Sequence, residues 1–118
     1  MHVEIWHNPA CGTSRNTLAL IRAAGIEPMI VEYLHASLDR PRLAQAIAAA
    51  GLSVREAIRS KQPEYAVLGL DEPSLSDDAL LDAMLANPVL IQRPLVSSPL
   101  GVRMCRPSER VLEILPPR

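Results

Sequence analysis

The sequence has few aromatic residues and few cysteines. Among 118 residues there is no Phe, with one Trp, two Tyr and two Cys. Surfaces that bind single-stranded nucleic acid stack bases on aromatic side chains, so the composition argues against that class. Two cysteines are too few for a disulfide scaffold, and both should be thiols in a reducing cytosol. We therefore expect an aliphatic core, and we expect any redox role of a cysteine to be catalytic.

An excess of charge of one sign and a long apolar run are also missing. Twelve Lys and Arg oppose 13 Asp and Glu, a formal net charge of −1. A basic surface for nucleic acid or anionic membrane is not expected, so any anion site must be local. Apolar runs fall short of the roughly 18 residues that span a bilayer, and Met1–His7 lacks the layout of a signal peptide. These features predict a cytoplasmic protein with one domain over residues 1–118.

The predicted elements follow the order βαβ, helices, ββα. A helix separates the first two strands, which favours parallel pairing, whereas the turn residues Pro99–Gly101 favour an antiparallel hairpin. The order resembles a thioredoxin-like layout: an α/β fold whose mixed four-stranded sheet has helices on both faces and a helical insertion at about 39–87 between the βαβ and ββα halves. The predicted strands are Val3–Trp6, Met29–Leu34, Val89–Ile91 continued by Leu95–Val96, and Val102–Cys105. The predicted helices are Thr13–Ala24, one capped by Asp39 and closed by Gly51, one opened by a capping box of Ser53 and Glu56, one from the cap Ser76 to Asn87, and one from Pro107 to Pro116 and Pro117.

Cys11 lies at the turn between the first strand and the first helix. The unpaired amides and the positive dipole end of that helix favour a thiolate, which is the form a nucleophile needs. Free cysteines are often small buried hydrophobes, but a turn that continues with Gly12, Thr13, Ser14 and Arg15 is a poor place to bury one. We favour the nucleophile, with a packing role as the alternative.

Related cysteine motifs do not fit the spacing. A dithiol oxidoreductase needs a second cysteine where Ser14 stands, so a local disulfide cannot form. A phosphatase-type loop needs Cys-x5-Arg, whereas position 17 is Thr17. The two cysteines and three histidines also lack the clustered spacing of a zinc site, so we predict no metal. Cys105, in a predicted strand, is expected to be a buried packing residue.

Three arginines stand at the ends of predicted elements: Arg59, Arg93 and Arg106. The planar fork of donors on Arg suits a tetrahedral oxyanion. Each could equally be a solvated surface charge, which is the usual place for Arg. Spacing alone leaves open whether they converge on Cys11.

Several segments together closely resemble the glutathione- and glutaredoxin-coupled arsenate reductases. The most specific are the Cys-Gly-Thr-Ser-Arg run that starts at Cys11 and the Cys-Arg-Pro-Ser run that starts at Cys105. The resemblance covers nearly the whole chain. The segments that carry it are His7–Leu18, the region of Arg59, Leu68–Leu70, Arg93–Pro94, Pro99–Gly101 through Cys105–Glu109, and Leu112–Pro116.

The resemblance implies a thioredoxin-like enzyme that reduces arsenate in the cytoplasm. It implies no tightly bound cofactor, glutathione as co-substrate, glutaredoxin as partner, and a monomer or weak dimer. Two departures are Trp6, where the family is expected to have Tyr, and an end at Arg118 without the longer charged tail of enteric relatives. The implied site consists of the nucleophile Cys11, the oxyanion triad Arg59, Arg93 and Arg106, the substrate or thiolate support of His7, Gly12, Thr13 and Ser14, and a cis bond before Pro94.

Two other functions stay open on the sequence. Cys11 could be a monothiol exchange centre for glutathionylated proteins, although thiol exchange does not need a set of arginines. The chain could also resemble thiol-stress regulators of this fold that bind RNA polymerase. Those regulators generally use a Cys-x-x-Cys pair, which Ser14 removes.

Overall fold

A computed structural model describes residues 1–36 and 38–116. Four strands, five α-helices and two 3-10 helices occur in these ranges. The strands are β1 (Glu4–Trp6), β2 (Met29–Val31), β3 (Leu95–Ser98) and β4 (Gly101–Met104). The α-helices are α1 (Gly12–Ala23), α2 (Arg40–Ala49), α3 (Val54–Ala57), α4 (Pro63–Val67) and α5 (Asp77–Ala86), and the 3-10 helices are Pro88–Leu90 and Ser108–Ile114.

The chain divides into two compact units. The first combines Met1–Ala36 with Arg93–Arg118 and holds the whole sheet, and the second is Ser37–Gln92 and holds α2 to α5. We call them the sheet unit and the helical unit. A single domain over residues 1–118 stays a prediction. Within the described ranges, no helix is long and apolar enough to cross a membrane.

The sheet has the order β2-β1-β3-β4. β1 pairs parallel with β2, with Ile5 opposite Ile30, and antiparallel with β3, with Ile5 opposite Val96. β3 and β4 form an antiparallel hairpin. The predicted mixed four-stranded sheet and the parallel βαβ unit are therefore confirmed. Because β1 is a central strand, the loop that follows it starts from a fixed point and leads directly into α1.

The main core cluster of the sheet unit is aliphatic apart from Cys105, whereas Trp6 and Tyr33 are buried outside that cluster. Side chains from the sheet, α1 and the C-terminal 3-10 helix pack into one cluster, and each is at least nine-tenths buried. Gly25, with φ +83°, lets the chain leave α1 in a left-handed conformation that L side chains rarely adopt. The cluster consists of Val3, Ile5, Leu18, Ile21, Val96, Cys105, Val111, Ile114 and Leu115.

Three helices of the helical unit begin at the N-caps that the sequence predicts. The Asp39 carboxylate accepts from the N–H of Arg42 at 2.8 Å, and the Ser76 hydroxyl accepts from the N–H of Ala79 at 3.1 Å. Ser53 and Glu56 form both bonds of the capping box. Helix α4 was not predicted, because its five residues are too few to show a period and none of them is buried.

One predicted strand is wrong in type, and the predicted last helix is present in a tighter form. Val89–Ile91 is not a strand: Pro88 begins a 3-10 helix, and only Ile91 forms an isolated bridge, to Ile58. The last helix is a 3-10 helix rather than an α-helix. Its three-residue period explains why Val111 and Ile114 are buried while Leu112, predicted to face inward, is 55% exposed. Pro117, predicted to stop this helix, lies outside the described residues.

The packing predicts a contrast between two aliphatic truncations. Ile21→Ala should lower the free energy of unfolding by about 2–5 kcal/mol, because Ile21 is fully buried in the core cluster. Leu112→Ala should change it by less than about 0.5 kcal/mol, because Leu112 is mostly exposed. Urea unfolding followed by circular dichroism measures both. Equal losses would contradict the assignment of Leu112 to the surface.

Candidate active site

The loop between β1 and α1 fixes Cys11 at the N-cap of α1. The residue has an extended backbone, with φ −94° and ψ 121°, and its carbonyl accepts from the N–H of Arg15 at 3.0 Å. Its own N–H donates to the carbonyl of Asn8 at 2.9 Å, which closes the turn. Cys11 is a free thiol and is partly exposed. The Cys11 thiol therefore stands at the positive end of a helix, where a small molecule can reach it.

The surroundings of Cys11 favour the thiolate. Partial burial raises the pKa of the thiol, but the N–H of Ser14 and the guanidinium groups of Arg93 and Arg106 lower it more. The net effect lowers the pKa from its usual 9.0 to about 7. About half of the cysteine is therefore thiolate at neutral pH.

Arg106 contacts both Cys11 and the chain at Arg93. Its Nη1 lies 3.8 Å from the Cys11 sulfur and donates to the Arg93 carbonyl at 3.1 Å. Two of the three arginines singled out in the sequence thus reach the cysteine thiol. The Arg93–Pro94 bond is cis, as the resemblance implies, and the Arg106–Pro107 bond, which was not singled out, is also cis.

Arg59 belongs to the helical unit. Its N–H donates to the Leu90 carbonyl at 2.7 Å, and its Nη1 donates to Oε1 of Gln92 at 3.3 Å. These bonds hold the segment after α3 against the segment after the first 3-10 helix. The membership of Arg59 in an oxyanion triad stays a prediction.

His7 and Ser14 shape the loop rather than contact the thiol with their side chains. The Ser14 hydroxyl lies 2.6 Å from Nδ1 of His7 and accepts from the N–H of Asn8 at 3.1 Å. Burial lowers the pKa of His7, and Arg22 and Arg15 lower it further against the opposing effect of Glu32. The neutral imidazole is therefore favoured near neutral pH.

The first turn of α1 is hydrogen-bonded to the C-terminal segment. The Thr13 carbonyl accepts from the hydroxyl of Ser108 at 3.1 Å and from that of Thr17 at 2.8 Å. Ser108 belongs to the Cys-Arg-Pro-Ser run, but the sequence pattern gives no signal for this bond. Gly12 is exposed and follows Cys11 directly. Gly12 and Thr13 thus lie in the first turn of α1, and their role in binding substrate stays a prediction.

Cys105 has the packing role predicted for it. It is fully buried, and burial raises the pKa of its thiol to about 12. Its sulfur lies 3.6 Å from the Arg103 carbonyl, and its N–H donates to the Pro94 carbonyl at 2.9 Å. A thiol that stays protonated and buried is a poor resolving nucleophile. In residues 1–36 and 38–116, His, Cys, Asp and Glu do not form a group of three that could hold a metal ion.

Sequence and structure comparisons identify the family of the chain. The profile of the ArsC family matches residues 6–114. The chain belongs to the ArsC family. It is 65% identical to an arsenate reductase of Rhizobium meliloti, over 98% of this chain and 83% of that protein. It is 54% identical to an arsenate reductase of Escherichia coli, over 98% of this chain and 82% of that protein. An arsenate reductase structure from Vibrio cholerae superimposes with a TM-score of 0.94 at 45% identity, covering 98% of each chain.

The geometry of this ArsC-family chain predicts how Cys11 titrates. The rate of alkylation by iodoacetamide should rise as the thiol deprotonates, with a midpoint near pH 7, since its pKa is lowered to about 7. In Arg106→Ala the midpoint should move to higher pH, because a cation that stabilises the thiolate is lost. A midpoint near the usual range of cysteine in the unaltered protein would contradict the proposed surroundings.

Proposed function

We propose that the protein is an arsenate reductase that uses Cys11 as its nucleophile. The observation that carries the proposal is the Cys11 thiol with a lowered pKa, facing the Ser14 N–H and the guanidinium groups of Arg93 and Arg106. Thiol exchange alone does not need two cations at the cysteine. The similarity to proteins named arsenate reductase, at 54–65% identity over nearly the full chain, supports the same reaction.

In the first step, Cys11 attacks arsenic. Arsenate is a dianion near neutral pH, and it docks against the amides that follow Cys11 and against the arginine side chains. A sulfur–arsenic bond forms, and one arsenic–oxygen bond breaks to release water or hydroxide. The product is a thioarsenate on Cys11, with arsenic still As(V).

In the second step, glutathione reduces the arsenic. The glutathione sulfur adds to the intermediate, a disulfide forms between Cys11 and glutathione, and the sulfur–arsenic bond breaks. The electron pair of that bond stays on arsenic, which leaves as arsenite, As(III). Glutaredoxin then reduces the mixed disulfide and restores the thiolate. One active cysteine is enough, because the second thiol comes from outside and Cys105 stays buried.

The arginines supply more of the rate than the lowered pKa does. Lowering the pKa of the thiol from 9.0 to about 7 raises the thiolate fraction at pH 7 from roughly 1% to roughly 50%. The weaker base is less nucleophilic, and with a Brønsted slope of about 0.4–0.5 the loss of nucleophilicity cancels roughly six- to tenfold of that gain. Neutralising a dianion so that a thiolate can attack it is the larger task, and it falls to Arg93 and Arg106, with Arg59 as the third proposed member.

The reaction sets the partners and the compartment that we propose. Glutathione is the co-substrate and glutaredoxin the protein partner, with no tightly bound cofactor. The protein acts in the cytoplasm, where Cys11 and Cys105 stay reduced; both are free thiols in the structure. We propose a monomer or weak dimer.

Arsenite formation from arsenate tests the proposal. The complete reaction contains the protein, arsenate, glutathione, glutaredoxin, and a reductase that keeps glutathione reduced. We expect turnover in this mixture and loss of turnover when glutaredoxin is omitted. A folded protein that forms no arsenite in the complete mixture would contradict the proposed function.

A further inference from the structure

A groove lies beside the loop that carries Cys11, and its lining does not include Arg93 or Arg106. Its volume is about 540 Å³, within the range of sites that bind small molecules. Both the loop that carries Cys11 and one face of α1 contribute to its lining. The lining residues are His7, Pro9, Arg15, Leu18, Ala19 and Arg22.

Arg15 places its charge along the cysteine loop. Its Nη1 donates to the Pro9 carbonyl at 2.8 Å, and a Cβ at Gly12 would lie 3.6 Å from its Nη2. Pro9 and Gly12 stand two residues before and one residue after Cys11. The guanidinium of Arg15 therefore bonds to the backbone before Cys11 and lies near Gly12 after it.

The two arginines of the groove differ in their bonding. Arg22 donates through Nε and Nη2 to both carboxylate oxygens of Glu27, at 2.9 and 3.0 Å. That pair neutralises Arg22 within the protein. Arg15 is exposed, and its bond to the Pro9 carbonyl involves one of five guanidinium N–H donors and no carboxylate. Within the described ranges, Arg15 is thus a cation of the groove that is not paired with an acid, and it lies next to the apolar surface of Pro9, Leu18 and Ala19.

We propose that this groove binds the glutathionyl group when it is attached to Cys11, with Arg15 binding a glutathione carboxylate. The inference rests on the proposed function, which requires a mixed disulfide at Cys11. Glutathione is a short peptide with two carboxylates and one ammonium, so its net charge of −1 complements Arg15. Its methylene groups and peptide planes match the small apolar side chains of the lining. Arg15 is thus a specificity residue for the thiol that follows arsenate.

The recognition can be measured without arsenate. Reduced protein is mixed with glutathione disulfide, and the Cys11 thiolate attacks one sulfur. The disulfide of the reagent breaks, a Cys11–glutathione disulfide forms, and one glutathione thiolate leaves. Bis(2-hydroxyethyl) disulfide reacts in the same way but carries no charge. The ratio of the two second-order rate constants reports recognition of the glutathionyl group, and the pH midpoint of Cys11 alkylation corrects both for changes in thiolate fraction.

We expect Arg15→Ala to lower the rate constant for glutathione disulfide about fivefold and to leave that for the uncharged disulfide unchanged. Ala19→Glu, which adds an acid to the exposed face of the groove, should have the same selective effect. Arg110→Ala removes a charge from the C-terminal 3-10 helix and should leave the ratio unchanged. Equal effects of Arg15→Ala on both disulfides, or no effect on either, would overturn the inference.

Turnover separates this inference from the proposed function. If the unaltered protein forms arsenite and Arg15→Ala raises the KM for glutathione about fivefold with little change in kcat, both stand. If arsenite forms and the KM for glutathione is unchanged in Arg15→Ala, the groove does not bind the glutathionyl group and the reductase proposal stands. If no arsenite forms but the disulfide ratio depends on Arg15, the reductase proposal fails and the groove serves a thiol exchange centre.

Discussion

Cys11→Ser should lower the rate of arsenite formation by a factor of about 10⁴ or more, because it removes the group that bonds to arsenic. A serine hydroxyl at this position remains protonated, and the N–H of Ser14 and the guanidinium of Arg106 cannot make it a comparable nucleophile. Arsenite is measured under saturating glutathione and glutaredoxin, with the far-ultraviolet spectrum and the thermal midpoint confirming the fold.

Cys105→Ala is the matched control for loss of a thiol. Cys105 is fully buried, so the change should lower stability modestly and leave turnover within about twofold at a temperature where the variant is folded. A folded Cys105→Ala protein without turnover would show that Cys105 is a resolving thiol. Residual activity above about a tenth in Cys11→Ser would likewise contradict the single-cysteine mechanism.

Arg106→Ala should lower kcat/KM for arsenate by about 10²–10³, the usual cost of losing one donor to a developing oxyanion. Arg106 contacts the Cys11 sulfur and is held by the carbonyl of Arg93, so its loss affects both the thiolate and the bound anion. Arg93→Ala should give a loss of similar size, because the Arg93 guanidinium also stabilises the thiolate. Steady-state kinetics with varied arsenate gives the values.

Two further variants show whether the loss of activity is specific to the arginines at Cys11. Ser14→Ala should cost much less, since the Ser14 N–H remains and only the hydroxyl bonds to His7 and Asn8 are lost. Arg110→Ala removes an equal charge from a partly buried position of the C-terminal 3-10 helix and should stay near the unaltered rate. Equal modest losses in Arg93→Ala, Arg106→Ala and Ser14→Ala would argue against binding of the anion by Arg93 and Arg106.

Local rules predicted the order of elements well, because caps and turns act over a few residues. Asp39, Ser53 and Ser76 each bond an amide of the next helical turn, and Gly25 adopts the positive φ that ends α1. The parallel pairing of β1 with β2 followed from the intervening helix. These signals need no knowledge of distant parts of the chain.

The 3-10 helices could not be identified from the same patterns. Pro88 and Pro107 suit the first turn of several structures, and an apolar triplet such as Val89–Ile91 fits a strand as readily as a tight helical turn. Packing decides the outcome: burial of Val111 and Ile114 selects a three-residue period over the α-helical one.

The active site could not be predicted from local patterns, because it is formed by contacts between distant parts of the sequence. Arg106 reaches Cys11 across 95 positions of sequence, and Ser108 fastens the Thr13 carbonyl across the same separation. The resemblance to arsenate reductases suggested Arg106, whereas the bond to Ser108 and the position of Arg15 along the cysteine loop became visible only in three dimensions. The neutral state favoured for His7 depends on burial, which its position after a short strand did not show.

Trapping the mixed disulfide tests the central claim most directly. The protein is incubated with arsenate and glutathione without glutaredoxin, quenched in acid, and examined as intact protein and as peptides by mass spectrometry. We predict one glutathionyl group per chain on the Cys11 peptide, formed only when arsenate is present and removed by glutaredoxin. A glutathionyl group on Cys105, a disulfide between Cys11 and Cys105, or arsenite formation without modification of Cys11 would contradict the mechanism.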